Sequence, residues 1–288
     1  MKRRFVNLLL VLTMLAGLCT FLYPTAAELI NQRTQSRAIT DLREALDALP
    51  KEDLEPMWEA ATLYNRQHRQ NTFSADAFTG EEEKESSLYR HLLNPQGTGI
   101  MGYLSIPKIE QQIPVYHGVS QGVLQIAAGH MDGTSLPVGG SGTHCVIAAH
   151  RGLPSARLFT DLDRLEPGDT FYLHILNQVL AYRVDQILPM VAKDDYAALN
   201  EALKIIPGED HVTLFTCTPY GINSHRLLVR GLRTEYRGEE APVQEVPAES
   251  MVRFVPAEGA CRLLLLSALS LAAVRIAGGL RAKHRKRP

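Results

Sequence analysis

Hydrophobic positions fall into three regimes along this chain. Phe5 to Tyr23 is an apolar run of nineteen residues, broken by Asn7 and two threonines, and Leu263 to Leu280 is apolar apart from Arg275. Between them, apolar residues first recur at helical spacing over Glu28 to Gln70, with interruptions near Pro50 and Pro56. From Gly99 the pattern shortens to strand-length bursts between turn residues. These are Met101 to Ile106, Gln112 to Tyr116, Gly122 to Ala128, His144 to Ala149, Thr170 to Ile175, Val179 to Val184, Val212 to Cys217 and Leu227 to Thr234. Short, evenly spaced strands of this kind predict a mainly β domain, a barrel or a sandwich. Arg157 to Asp163 and Tyr196 to Leu203 read as short helical inserts.

Both long apolar runs have the length of a membrane span. Lys2 to Arg4 precedes the first and a basic tail from Arg281 follows the second, so both termini are expected in the cytoplasm with the β region outside. Arg275 lies six residues from Arg281, about 9 Å along a helix, within reach of the interface by snorkelling. Thr25-Ala26-Ala27 has the small side chains of a cleavage site, so a cleaved signal is the alternative to an anchor. A lipoprotein reading fails because Leu18, not a small residue, precedes Cys19. A peripheral helix is the alternative for the second run. The expected organisation is an anchor over 1–27, a helical arm over 28–70, a polar loop over 71–98 and the β domain over 99–235. A Pro/Glu-rich linker over 236–259 and a second span with its tail over 260–288 complete it.

Composition narrows the function. A net charge of −1 gives no electrostatic footprint for nucleic acid. Four cysteines, at 19, 145, 217 and 261, make no disulfide framework, and two of them lie in the apolar runs. No His/Cys/carboxylate set has metal-ligand spacing, since His144, Cys145 and His150 share one strand whose side chains alternate. No cofactor is implied.

Cys217 ends one predicted strand and Arg226 begins the next, across a loop closed by Pro219 and Gly221. The two should face each other, placing a thiol beside a permanent cation. Upstream, a small-residue strand ends at His150 before Arg151-Gly152, where an imidazole can serve as acid or base. Cys217 taken alone would read as a buried apolar residue; the other two change that. Asn223 and His225 lie in the same loop and are candidates for shaping a substrate site. The remaining histidines have no acid–base case beyond proximity.

Thr-Leu-Phe-Thr-Cys (213–217) with Arg226 nine positions later, Ala-Ala-His-Arg-Gly (148–152) and Thr-Ser-Leu-Pro-Val-Gly-Gly (134–140) together resemble a sortase. The run from Thr216 to Gly231 is similar to the class C, pilin-polymerising branch. The resemblance covers roughly 99–234. It implies a closed eight-stranded sortase-type β-barrel, with Cys217, His150 and Arg226 as catalytic residues. The implied reaction cuts an LPxTG-like sorting signal after threonine and passes the acyl group to a pilin lysine. Partners are then LPxTG-bearing pilin precursors, an acceptor pilin lysine and the plasma membrane. Class C sortases carry a lid with an Asp-Pro-aromatic motif; Asp76-Ala77-Phe78 matches it with alanine in place of proline. Two other functions share these residues: a sortase attaching proteins to a cell-wall precursor, and a membrane-tethered binding barrel without turnover.

Overall fold

The computed structural model describes residues 2–68, 77–78 and 87–238. The linker from 239 onward, the second apolar run, its basic tail and Asp76 lie outside the described residues.

Helix α1 (Lys2–Ala48) carries the first apolar run and continues through Pro24 into the polar arm without a break. Its apolar stretch from Phe5 to Tyr23 stands exposed. Further along, Asn31, Gln35, Ile39 and Leu42 are buried, a three-to-four-residue spacing that lays one face of α1 on the β domain. Helix α2 (Lys51–Gln67) starts after Pro50 as expected. The interruption expected at Pro56 does not occur: Pro56 sits inside α2, near its start. A proline there forfeits one backbone hydrogen bond, while Leu54, Ala61 and Tyr64 hold the helix by burial. The short α3 (Ser87–His91) follows.

Eight strands then close into a barrel: β1 (Ile100–Ile106), β2 (Gln111–His117), β3 (Ala128–His130), β4 (Thr143–Ala148), β5 (Thr170–Ile175), β6 (Gln178–Ala192), β7 (Asp210–Thr218) and β8 (His225–Thr234). Their spatial order is β1-β2-β3-β4-β7-β8-β6-β5. The pairs β2·β3 and β4·β7 are parallel, and the rest antiparallel.

Three local expectations are corrected. Gly122 to Ala128 is not a strand; Ser120 caps the short α4 (Gln121–Leu124) by accepting from Val123 N, and the strand begins only at Ala128. Strand β6 runs well past Val184 to Ala192 through two irregularities in its register with β8, which its mixed exposure disguises. Residues 157–163 form turns ending in a 3₁₀ turn (Leu162–Arg164), whereas Tyr196–Ala202 is helical, α5.

Alternation along the strands makes two cores. Cys145, Ile147, Val212, Leu214, Leu227 and Val229 point into the barrel with Leu104, Phe171 and Tyr182. Val146, Ala148, Phe215 and Leu228 point outward and are covered by Leu199 and Leu203 at α5 and by Ala77. This outward layer is the floor on which the candidate site stands.

Candidate active site

Strands β7 and β8 pair with Cys217 directly opposite Arg226. Both are buried, at 4% and 3% exposure. Each shares the outward face of its strand, Cys217 with Phe215 and Arg226 with Leu228. The loop between them holds the arginine in place: its Nη1 donates to the Asn223 carbonyl at 3.1 Å and the His225 carbonyl at 2.8 Å. Asn223 takes the left-handed conformation, φ 59°, which asparagine tolerates better than most residues. Its exposed side chain stands clear while its carbonyl faces the guanidinium. The His225 ring pairs with Ser224 Oγ at 2.8 Å.

The parallel pairing of β4 with β7 brings in His150. Ala148 pairs with Phe215, and Ala149 N donates to Phe215 O at 3.2 Å, so the next residue, His150, is level with Cys217. Thr216 Oγ1 donates to Ala149 O at 2.7 Å and fastens the two strand ends together. Burial lowers the His150 pKa, favouring the neutral imidazole. Among the described residues no carboxylate pairs with it.

Arg151 was legible only as part of a motif, and the structure gives it a place. Its Nη1 donates to Thr218 Oγ1 at 3.3 Å and its Nη2 to Asp163 Oδ2 at 2.5 Å. It therefore bridges the residue after His150 to the residue after Cys217. Gly152 beside it lies under the Tyr220 ring, where a Cβ would meet a ring carbon at 2.9 Å. No local pattern announces these cross-loop contacts.

Phe78 lies over the assembled group. Its ring centroid is 5.2 Å from that of His150 and 6.0 Å from Phe215, stacked at 6°. The Arg226 guanidinium carbon sits 5.2 Å from the same centroid. Ala77 is buried in the layer beneath. Asp76, expected beside them, lies outside the described residues. Cys145 points into the barrel, where burial pushes its thiol well above the usual range, so it is no competitor to Cys217.

Residues 104–234 match the sortase domain family. The structure is similar to that of sortase C from Streptococcus pneumoniae, studied for its catalysis and pilin substrate specificity, at 45% identity. That match covers 72% of this chain and 99% of that one, with a TM-score of 0.61. The chain belongs to the sortase family, in its class C branch. A second class C structure, sortase C1 of Streptococcus agalactiae, is 43% identical to this sortase over 69% of its chain and 99% of the other, with a TM-score of 0.61. A curated relative, sortase SrtE1 of Streptomyces coelicolor, is 31% identical over 144 residues. The match takes in 46% of this sortase and 40% of that relative, so the chain spans under half of its length.

Proposed function

We propose that this sortase is a membrane-anchored cysteine transpeptidase that builds covalent pili, cutting an LPxTG-like signal after threonine and joining it to a pilin lysine. The observation that carries the chemistry is the register of Cys217 against Arg226, with His150 level at the end of the neighbouring strand. In the resting site His150 is neutral, because burial opposes its charge. It takes the Cys217 proton, and the thiolate attacks the threonine carbonyl. Arg226, oriented by two loop carbonyls, hydrogen-bonds the developing oxyanion. As the C–N bond breaks, the imidazolium gives its proton to the leaving amine, and a thioester remains on Cys217. The lysine amine then attacks that thioester and yields its proton to neutral His150. The C–S bond breaks, releasing thiolate and the new amide. The pilin assignment follows the class C likeness; the outward placement follows the apolar start of α1 and its basic flank. Ala77 and Phe78 are read as the lid, with Asp76 as its acidic member.

Incubating the protein with an LPxTG peptide and trapping the thioester tests the chemistry. Cys217→Ala should abolish the trapped adduct and Cys145→Ala should retain it; an adduct on folded Cys217→Ala refutes the nucleophile. Offering a pilin domain and a cell-wall peptide together tests the acceptor. Transfer to the cell-wall peptide alone makes this an anchoring sortase instead.

A further inference from the structure

The strand directions fix which end of the barrel holds the site. Cys217 and His150 lie at the C-terminal ends of β7 and β4, and Arg226 at the start of β8. Strand β3 runs antiparallel to β4, with Gly129 beside Ala148, so the residues entering β3, including Ile126, lie at this same end. Around the other side of the barrel, Gly102 near the start of β1 pairs with Ile175, Ile175 pairs with Gln178 at the start of β6, and β6 runs on to Val191 before it meets Arg226; the start of β1 therefore lies toward the opposite end.

Helix α1 contacts these landmarks in order. Glu28 Oε2 accepts from Arg157 N at 2.7 Å, in the segment that leaves His150. Gln35 Nε2 donates to Ile126 O at 2.6 Å. Only later does the helix pass the start of β1, where Gln96 Nε2, ahead of the strand, donates to Asp41 O at 2.8 Å, and Arg43 Nη2 donates to Tyr103 Oη, midway along β1, at 2.6 Å. The apolar run ends at Tyr23, about 8 Å along the axis before Glu28 and about 18 Å before Gln35. The catalytic end is thus the end nearest the apolar segment, and the far end points away from it.

That same end exposes large apolar side chains. Tyr220 is 60% and Ile222 71% exposed at the tip of the β7–β8 loop. Met190, 52% exposed, precedes Val191, which pairs with Arg226, and Ile126 is 45% exposed. Apolar and aromatic residues grouped on a rim suit the headgroup boundary of a bilayer, where a tyrosine keeps its hydroxyl wet.

We infer that the rim around the catalytic cleft, led by Tyr220 and Ile222, rests on the outer surface of the bilayer in which α1 is anchored. The cleft then opens along the membrane plane and receives a polypeptide just where that chain leaves the lipid. A soluble peptide of the same sequence must reach it from the side. This inference rests on the anchor reading given above and adds the orientation.

The test uses the full chain in phosphatidylcholine/phosphatidylglycerol vesicles. Trp58, the one tryptophan in the sequence, is changed to phenylalanine, and a single tryptophan is introduced by Ile222→Trp or, at the far end, Gln178→Trp. Lipids carrying a nitroxide at the headgroup should quench the probe at 222 and leave the probe at 178 unchanged. Vesicle flotation is read on the same samples. A chain that fails to float refutes the anchor and the inference with it. A chain that floats, yet shows no quenching at 222, refutes the orientation alone. Emission at 222 that responds to an LPxTG peptide but not to nitroxide lipid assigns the rim to substrate and overturns the inference.

Discussion

Removing the Phe78 ring tests the proposed lid through the reactivity of Cys217. In the closed form the ring gains a cation contact with Arg226, a stack on Phe215 and a tilted contact with His150. A cation–π contact at a partly buried site contributes about 0.5–2 kcal/mol and an aromatic pair about 0.5–1.5. Taking about 1 kcal/mol for each of the first two, Phe78→Ala shifts the closed-to-open ratio by roughly 30-fold. Labelling of Cys217 by a bulky maleimide, read as the modified peptide by mass, should speed up by the same order, because reagent reaches the thiol only through the open form. Cys145 serves as the internal control: it is buried inside the barrel and labels only when the barrel itself opens. Faster labelling of both cysteines would mean general loosening. Equal Cys217 rates in Phe78→Ala and wild type would refute the lid, and with it any gating by residues 77–78.

Two further outcomes are expected. Arg226→Lys keeps the charge but loses the planar guanidinium, whose Nη1 donates to two loop carbonyls and so fixes the group's orientation. It should lower kcat by about 10²–10³ with little change in KM, measured by peptide transfer; a comparable rise in KM with kcat unchanged would make Arg226 a binding residue. The fold should weaken in acid because His130 and His144 are buried with pKa values pushed down from 6.5 to about 4. Both are neutral when folded and protonate readily once unfolded. Stability is therefore complete above pH 6.5 and falls toward pH 4, by about 3 kcal/mol for each histidine over pH 7 to 4. Urea midpoints across that range check it, and a flat profile would refute it.

How much could be read beforehand depended on the range of the interaction. Cys217 against Arg226 follows from a strand, a turn-rich loop and a strand, all within residues 211–230. His150 was recognisable as a strand-end histidine, but its level relative to Cys217 depends on a parallel pairing that leaves no local trace. The departures at α4 and β6, among those described above, have plain physical reasons. The Ser120 cap is a single side chain that turns a strand-like run into α4, and the outer half of β6 is too exposed to alternate cleanly. The contact of α1 with Arg157 joins residues 129 apart in sequence, and the pattern of either segment alone is silent about it. Arg151 shows the same limit: its partner Thr218 is on another strand.

The separation of Arg151 from Thr218 bears on the order in which the site can assemble. Cys217 and Arg226 meet by closing a hairpin of nine residues, whereas the bridge from Arg151 to Thr218 spans 67. Loop-closure entropy makes the longer closure more costly by about 2 kcal/mol, and every residue of the intervening β5 and β6 must be accommodated first. The thiol and its guanidinium thus belong to a local unit that can form early, and the imidazole joins only when the sheet is sewn shut. Closing the short hairpin alone therefore brings thiol and guanidinium together without the imidazole, so a chain folded only that far would hold Cys217 beside Arg226 and still lack the His150 ring level with it.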